Sequence, residues 1–432
     1  MPRRTNYKSM DKNRKMKIIS LMSYPPAYEL YWKEQQNAAK VGTRDRSRFV
    51  IAEYEWIDLM GREILKLTDK FEYEAWQPDL LADGIYSRTL EGGLKHKLFP
   101  ALYKRRLFGF KLVNDIYSKM MIVELRKEIK EGKIIIHLNS DPLLFKYILS
   151  SFDNIPIILT YHGVIQLPST NLFSYTKNIP SKLNHLKDYF WLKKNINKID
   201  YVTYQNNTNL NGFRKIYRGI LRKLTMGCDF SFWHPQNPKL ARNELGLPHD
   251  RKIFFTASRF VSAKQIDKLI FVLTELSDRY DFLLIIAGHG TKTYEDYLKC
   301  IASNLSKKNK IKFVGYIQGE KFRSYFNASD FFILASTDEG ASVSVMNAFA
   351  CEVPVISTKT GNTAELMEKY DCGCLLDIHD YKKWRDVLEG ILKGKLEIKP
   401  MDREIVKKHY DWSNIAQKLL NIYNEMAYRY YS

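Results

Sequence analysis

Short apolar runs alternate along the chain with longer stretches in which apolar residues recur every three or four positions. Runs of the first kind predict buried strands, and stretches of the second kind predict helices. In the first half, strands are expected at residues 15–23, 49–56, 133–138, 155–161 and 200–204. Helices are expected at 27–40, roughly at 110–131, at 143–151 and at 180–199. In the last of these, Tyr189, Leu192, Ile196 and Ile199 recur at spacings of three and four, with Lys187, Lys194 and Lys198 roughly opposite. Residues 60–130 mix aromatic and charged residues with irregular apolar spacing. Residues 230–248 hold three prolines and read as a connection between domains.

The alternation then resumes with greater regularity. Strands are expected at 252–258, 282–287, 311–314, 331–334, 354–357 and 375–376. Helices are expected at 264–279, 294–305, 320–328, 362–370, 380–393 and 412–428, with a helix-competent stretch between 340 and 351. Helix and strand in strict alternation are the mark of α/β architecture with parallel sheets. A chain of 432 residues exceeds one ordinary core, so two domains are expected.

Charge narrows the partners. The formal net charge is +20. Residues 1–250 hold 41 Lys and Arg against 25 Asp and Glu, whereas residues 251–432 hold 27 against 23. The excess in the first half favours a polyanionic partner: nucleic acid, an anionic membrane face or phosphorylated ligands. No helix-turn-helix, finger or RNA-binding signature is present, so nucleic acid is not the expected partner. Helix 180–199, with Phe190 and Trp191 among its lysines, either packs on its own domain or lies on anionic lipid. The basic cluster Lys104-Arg105-Arg106 would add to that surface. No apolar run approaches the roughly 18 to 20 residues that span a bilayer. The first residues are basic and lack the apolar core of a secretory signal. Five cysteines form no disulfide framework, and Cys372-Gly373-Cys374 lacks a second pair at zinc-like spacing. The expected location is cytoplasmic, with attachment to the inner face of the membrane left open.

Candidate chemistry lies at three strand ends of the second half. Arg259 follows the strand 252–258, and Lys264 begins the next helix; two cations at a strand mouth suit an anion. The turn Gly288-His289-Gly290 would let a ligand approach the backbone. Glu339-Gly340 follows the strand 331–334 and precedes a helix start, where free N–H groups suit hydroxyls and phosphates.

In order and spacing, these stretches resemble the nucleotide-sugar domain of retaining GT-B glycosyltransferases, the family 4-like group. The family's Gly-Arg-Leu and Glu-Lys-Gly region resembles residues 257–265, and its Gly-Asp-Gly turn resembles Gly288-His289-Gly290. Its Phe-x-Gly-Tyr strand end resembles Phe313-Val314-Gly315-Tyr316. Its Glu-Gly-Phe-Gly loop, helix and Pro-Val-Ile strand resemble residues 339–356, and its Gly-Gly-x-x-Glu turn resembles Gly361-Asn362-Thr363-Ala364-Glu365. The likeness is strongest over 226–432 and thinnest over 40–130.

The resemblance implies a GT-B fold: two Rossmann-like domains with a central cleft and a C-terminal helix crossing back to the first. The domains would be 1–228, with 412–432 packing back on it, and 229–411. It implies an enzyme that moves a sugar from a UDP- or GDP-sugar to a carbohydrate or lipid-linked acceptor in surface glycan or glycolipid synthesis. Arg259 and Lys264 would hold the diphosphate. Glu339 would accept from the sugar hydroxyls, helped by backbone N–H groups of Gly340, Ala341, Ser342 and Val343. Ile317 and the Gly288–His289–Gly290 turn would flank the base, and His162 would face the sugar from the other domain. The family's second glutamate, a ribose contact, is Asn347 here. No metal and no cofactor are implied, and no Asp-x-Asp triplet occurs in the chain. Besides Asn347, Tyr24-Pro25-Pro26-Ala27-Tyr28 replaces a glycine-rich loop, and Glu352 replaces the small glycine before the Pro-Val-Ile strand. These departures keep a second expectation open: a non-catalytic GT-B module that binds a nucleotide-sugar or a partner enzyme.

Overall fold

The computed structural model describes residues 15–22, 56–79, 82–103, 116–139, 145–162 and 179–432. The chain divides into two compact units, Met1–Thr225 with Trp412–Ser432, and Met226–Asp411.

The first unit is built on an eight-stranded sheet. Its strands, with the small ribbon β5–β6, are β1 (Met16–Met22), β2 (Phe71–Asp79), β3 (Tyr86–Thr89), β4 (Lys95–Pro100), β5 (Leu102–Tyr103), β6 (Ile116–Tyr117), β7 (Ile134–Asn139), β8 (Ile157–Thr160), β9 (Tyr201–Tyr204) and β10 (Ile220–Lys223). The order across the sheet is β10-β9-β8-β7-β1-β2-β4-β3. All pairs are parallel except β3 with β4. Ile19 and Leu21 of β1 join Ile134, Ile136 and Leu138 of β7 in one core with Leu192, Ile196 and Ile199. The apolar spacing of the 180–199 stretch is thus spent on its own unit: the helix runs Ile179–Asn195, and Phe190 remains 62% exposed.

The C-terminal helix Trp412–Tyr431 belongs to this unit and packs on the helix Trp56–Leu67 and on β7. Ile415, Leu419, Tyr423 and Met426 are buried along it at spacings of three and four. Hydrogen bonds tie it down: Tyr423 Oη lies 2.6 Å from His137 Nδ1, and Tyr431 Oη donates to the Ile134 carbonyl at 2.6 Å.

The structure departs most from the expectations between residues 49 and 131. Trp56 opens a helix instead of closing a strand, and residues 49–55 lie outside the described residues. The helix expected at 110–131 is Lys119–Glu131, started by the Ser118 hydroxyl accepting from the Met121 N–H. Strands β2, β3 and β4 have no counterpart in the expectations. The loop at 24–28, the helix at 27–40 and the 104–106 cluster lie outside the described residues.

The second unit carries the six-stranded parallel sheet of β11 (Lys252–Ala257), β12 (Phe282–Ala287), β13 (Ile311–Gly315), β14 (Phe331–Leu334), β15 (Val355–Thr358) and β16 (Cys374–Leu376), in the order β13-β12-β11-β14-β15-β16. Counted within the unit this is 3-2-1-4-5-6, the doubly wound arrangement whose crevice opens where the order reverses, between β11 and β14. Phe254, Leu284, Ile286, Ile333 and Ile356 supply the sheet's share of one core, against Ile266, Leu269, Ile270 and Leu273 of the helix Ile266–Leu276. The proline-bearing stretch read as a connection holds a helix, Pro238–Leu245, capped by Asn237, with Arg242 buried against the Ala328 carbonyl and Asp330. Among the described residues no helix is long and apolar enough to cross a membrane.

Candidate donor site at the switch point of the second sheet

The crevice between β11 and β14 is shaped by two loops that are bonded to each other. After β11 the chain passes Arg259 and makes the 3-10 turn Ser262–Lys264. After β14 it runs through Ser336 to Glu339. Thr337 joins the two, its N–H donating to the Ala263 carbonyl at 2.8 Å. The result brings Lys264 and Glu339 together, and the Lys264 Nζ forms an ion pair with Glu339 Oε1. From the sequence these residues stand at separate walls of the site; the structure makes them one pair. Glu339 is 9% exposed. Arg259 is exposed, and its guanidinium has no carboxylate partner among the described residues. Beside Glu339, Asp338 is pushed above the ordinary carboxylate range, by burial first and the Glu339 charge second, with Lys264 opposing.

The Gly288–Gly290 turn forms a third side, for a reason different from the expected one. Gly288 has φ +133°, and a Cβ there would lie 1.9 Å from the Ser258 carbonyl oxygen. Phe260 donates its N–H to the His289 carbonyl at 2.7 Å. The close approach that glycine permits is therefore made by the chain's own 258–260 segment, not left for a ligand. His289 stands edge-on to Tyr316, ring centroids 5.2 Å apart, at the ends of β12 and β13. Tyr316 is 57% exposed, and Ile317, next along, is half-buried.

Gly340, Ala341 and Ser342 lead into the helix Val343–Ala350. The N–H groups of its first turn have no intrahelical partners, and no side chain among the described residues caps them. Val343 is exposed at its start, and Ser342 is buried with its hydroxyl unpartnered among the described residues. Asn347 sits on the same helix but is buried, its Oδ1 lying 3.6 Å from the Cys228 thiol. The position expected to meet ribose thus faces a sulfur inside its own unit.

The turn after β15 supports the acidic loop. Gly361 adopts φ +75°, and a Cβ would come within 3.0 Å of Glu339 Cβ. Asn362 donates its N–H to the Gly340 carbonyl at 3.3 Å. The Gly361–Asn362 pair and Thr337 were not singled out from the sequence as site residues. The signal for the first was present in Gly361, since a glycine one residue before a helical pattern marks a special backbone position.

His162 lies two residues past β8 in the first unit, with Nδ1 3.3 Å from the Gln205 amide nitrogen. Burial first, and the neighbouring His137 second, hold it well below the usual histidine range, so the ring is neutral at pH 7. His137 is wholly internal. It is held by Tyr423 and by Thr160 Oγ1, 2.7 Å from its Nε2, and burial pushes its pKa down to about 3. Cys372 is buried and faces the Met401 sulfur. No cluster of three metal-ligating side chains occurs among the described residues.

Residues 238–414 match the family model described as glycosyl transferases group 1. The chain is 25% identical over 247 residues to a GDP-mannose-dependent monoacylated alpha-(1-6)-phosphatidylinositol monomannoside mannosyltransferase of Corynebacterium glutamicum, covering 54% of this chain and 64% of that one. It is 24% identical over 209 residues to the D-inositol 3-phosphate glycosyltransferase of Corynebacterium efficiens, covering 46% and 49%. The chain thus spans about half the length of the curated relatives it matches. Two solved structures share its fold over nearly the whole chain. Sucrose-phosphate synthase of Thermosynechococcus elongatus superposes with TM-score 0.68 at 16% identity, covering 96% of this chain and 99% of that one. HepE of Anabaena, solved with UDP-glucose, does so with TM-score 0.65 at 15% identity, covering 95% and 99%. The fold is the GT-B fold expected from the sequence, built from two Rossmann-like α/β units.

Proposed function

We propose that this chain is a glycosyltransferase that moves a sugar from a UDP- or GDP-sugar to a carbohydrate or lipid-linked acceptor, in the assembly of a surface glycan or glycolipid. The group 1 match over 238–414 and the named relatives support the class of reaction. The observation that carries it at the site is the Lys264–Glu339 pair beside exposed Arg259, at the crevice of a doubly wound sheet. Arg259 grips two diphosphate oxygens, and Lys264 adds a point charge by turning from Glu339 toward the phosphate. Their charge stabilises the departing nucleotide as the bond from sugar C1 to the diphosphate oxygen breaks. Glu339, relieved of Lys264, accepts from sugar hydroxyls. The base lies by the Gly288–Gly290 turn and Ile317.

The finer reading is transfer with retention and without a metal. The acceptor oxygen attacks C1 from the face that the nucleotide leaves, and its proton passes to the departing phosphate. The basic first unit, with Phe190 exposed among Lys187, Lys193 and Lys194, suits peripheral attachment to an anionic inner membrane face. One observation favours a second reading, a GT-B module that binds a nucleotide-sugar without turnover: Asn347 is buried against Cys228 where the resembled family places a carboxylate.

Purified chain supplied with UDP-glucose or GDP-mannose and a glycolipid extract, scored by release of UDP or GDP, separates the two. Lys264→Ala and Glu339→Ala are each expected to lower the rate about 10²- to 10³-fold with melting temperatures nearly unchanged. Full activity in both variants sinks the assignment. Nucleotide-sugar binding without release in the natural protein supports the second reading.

A further inference from the structure

We propose that Asn362 is a second polar contact for the donor sugar, set beside Glu339. The proposal rests on the donor-site reading above and concerns a residue to which nothing so far gives a role. The helix Gly361–Tyr370 begins just past β15, and its first residue is already against the acidic loop. A Cβ at Gly361 would lie 3.0 Å from Glu339 Cβ and 3.2 Å from the Gly340 carbonyl oxygen. Asn362 is the next residue. Its N–H donates to Gly340 at 3.3 Å, and its carbonyl accepts from the buried Tyr410 hydroxyl at 3.5 Å. Bonds on both sides of its Cα hold the backbone, and so the origin of its side chain.

Asn362 is 2% exposed, and neither Oδ1 nor Nδ2 of its side chain has a hydrogen-bond partner among the described residues. A buried amide left unpaired at both ends destabilises the fold. No local need explains it. Asn362 is absent from the residues with positive φ, and no side chain caps this helix. In the Gly-Gly-x-x-Glu turn that this stretch resembles, the position is the second glycine. On the other side of Gly340, the Ser342 hydroxyl is also buried and unpartnered. Two orphaned polar groups therefore flank the loop that carries Glu339, each at the start of a helix.

The chemistry of an amide selects the ligand. A carboxamide offers one acceptor and two donor hydrogens, whereas a carboxylate only accepts. A phosphate oxygen would leave the Asn362 acceptor unused. Neighbouring hydroxyls of a hexose, each both donor and acceptor, satisfy both ends. Asn362 thus reads sugar, while Arg259 and Lys264 hold the diphosphate.

Calorimetric titration of the full chain with UDP, GDP, UDP-glucose and GDP-mannose tests this. For the nucleotide-sugar that binds, Asn362→Ala is expected to weaken affinity about tenfold, the size of one or two lost hydrogen bonds. Affinity for the matching free nucleotide should stay within about twofold, and the melting temperature should hold or rise, since an unpaired amide has been removed. Asn362→Gly, the residue of the resembled turn, should behave alike. Unchanged nucleotide-sugar affinity overturns the proposal, as does an equal loss for nucleotide and nucleotide-sugar. Absence of binding by all four probes to the natural chain overturns the donor-site reading and this proposal with it.

Discussion

Two lysine–glutamate arrangements in this molecule use the same chemistry for opposite ends. In the first unit, Lys17 of β1 places Nζ 2.8 Å from Glu128 and 3.1 Å from Glu74, and Lys97 of β4 reaches Glu74 at 2.9 Å. Trp76 Nε1 adds a hydrogen bond to Glu74 at 2.8 Å. Every member is bonded to others inside the sheet and its covering helix. In the second unit, Lys264 pairs with Glu339 on two loops past the carboxyl ends of β11 and β14, and exposed Arg259 lies on the first of these loops. Position decides between them. A charge in the body of a sheet is fixed by partners on neighbouring strands and cannot exchange them. A charge on a loop at the carboxyl ends can trade its partner for a ligand. The first arrangement is structure and the second is the proposed site, although residue types alone cannot separate them.

Removing one member of each sharpens the contrast. Glu74→Ala removes the acceptor of Trp76 Nε1 and leaves Lys97 with a 3.9 Å approach to Glu128 in place of its 2.9 Å pair, and should cost about 3–5 kcal/mol by urea unfolding, far more than Glu339→Ala, which should cost activity instead. Equal stability losses would erase the distinction. The network also has a pH signature. Burial alone would raise the Glu74 pKa, but hydrogen bonds from Lys97 and Trp76 and the lysine charges outweigh it and leave the group below its usual range. Burial would likewise lower Lys17, but its hydrogen bond and charge interactions with Glu128 and Glu74 leave it raised. The Glu74 contribution is therefore present above its unfolded value of about 4.3 and lost as pH falls through the lower folded value. The Lys17 contribution is present below about 10.4 and lost as pH rises through the higher folded value. The urea midpoint should be flattest between these limits, and Glu74→Gln should flatten the acid limb.

A smaller effect is expected where backbone, not charge, builds the site. Gly288→Ala sets a methyl 1.9 Å from the Ser258 carbonyl, so the turn must part from the 258–260 segment. It should lose about 2 kcal/mol in thermal unfolding and weaken nucleotide binding without touching Arg259 or Lys264. Smallest is Glu352, held at φ +59° after the helix Val343–Ala350. The resembled family has glycine here, and the structure gives the physical reason: the left-handed backbone that ends this helix. Glu352→Gly should raise stability by about 1 kcal/mol, read as a higher denaturant midpoint at unchanged slope.

The two units were not equally legible. Strands β12 and β14 were delimited to the residue, because Phe282–Ala287 and Phe331–Leu334 are unbroken apolar runs buried on both faces, bounded by turn residues. Strand β2 was invisible for the opposite reason. Its sequence Phe-Glu-Tyr-Glu-Ala-Trp-Gln-Pro-Asp carries charge at positions that the fold buries. Glu74 is 1% exposed because Lys17 and Lys97, far away in sequence, neutralise it. Strand β10, Ile220–Lys223, is a half-exposed edge strand with two cations and left only a weak pattern.

The chain by itself determined which segments become the core of the second sheet, where its loops fall, and that cations, a glycine turn and a carboxylate stand at successive strand ends. Those are local properties, set by apolar runs and by the backbone freedom of glycine. Only the tertiary structure decided which charges meet. It paired Lys264 with Glu339, buried Asn347 against Cys228, drew His137 into the packing of the C-terminal helix, and left the amide of Asn362, whose N–H meets the Gly340 carbonyl, unpaired among the described residues. A charge or an amide takes its meaning from what lies within about 3 Å of it, and those neighbours come from strands distant in the chain.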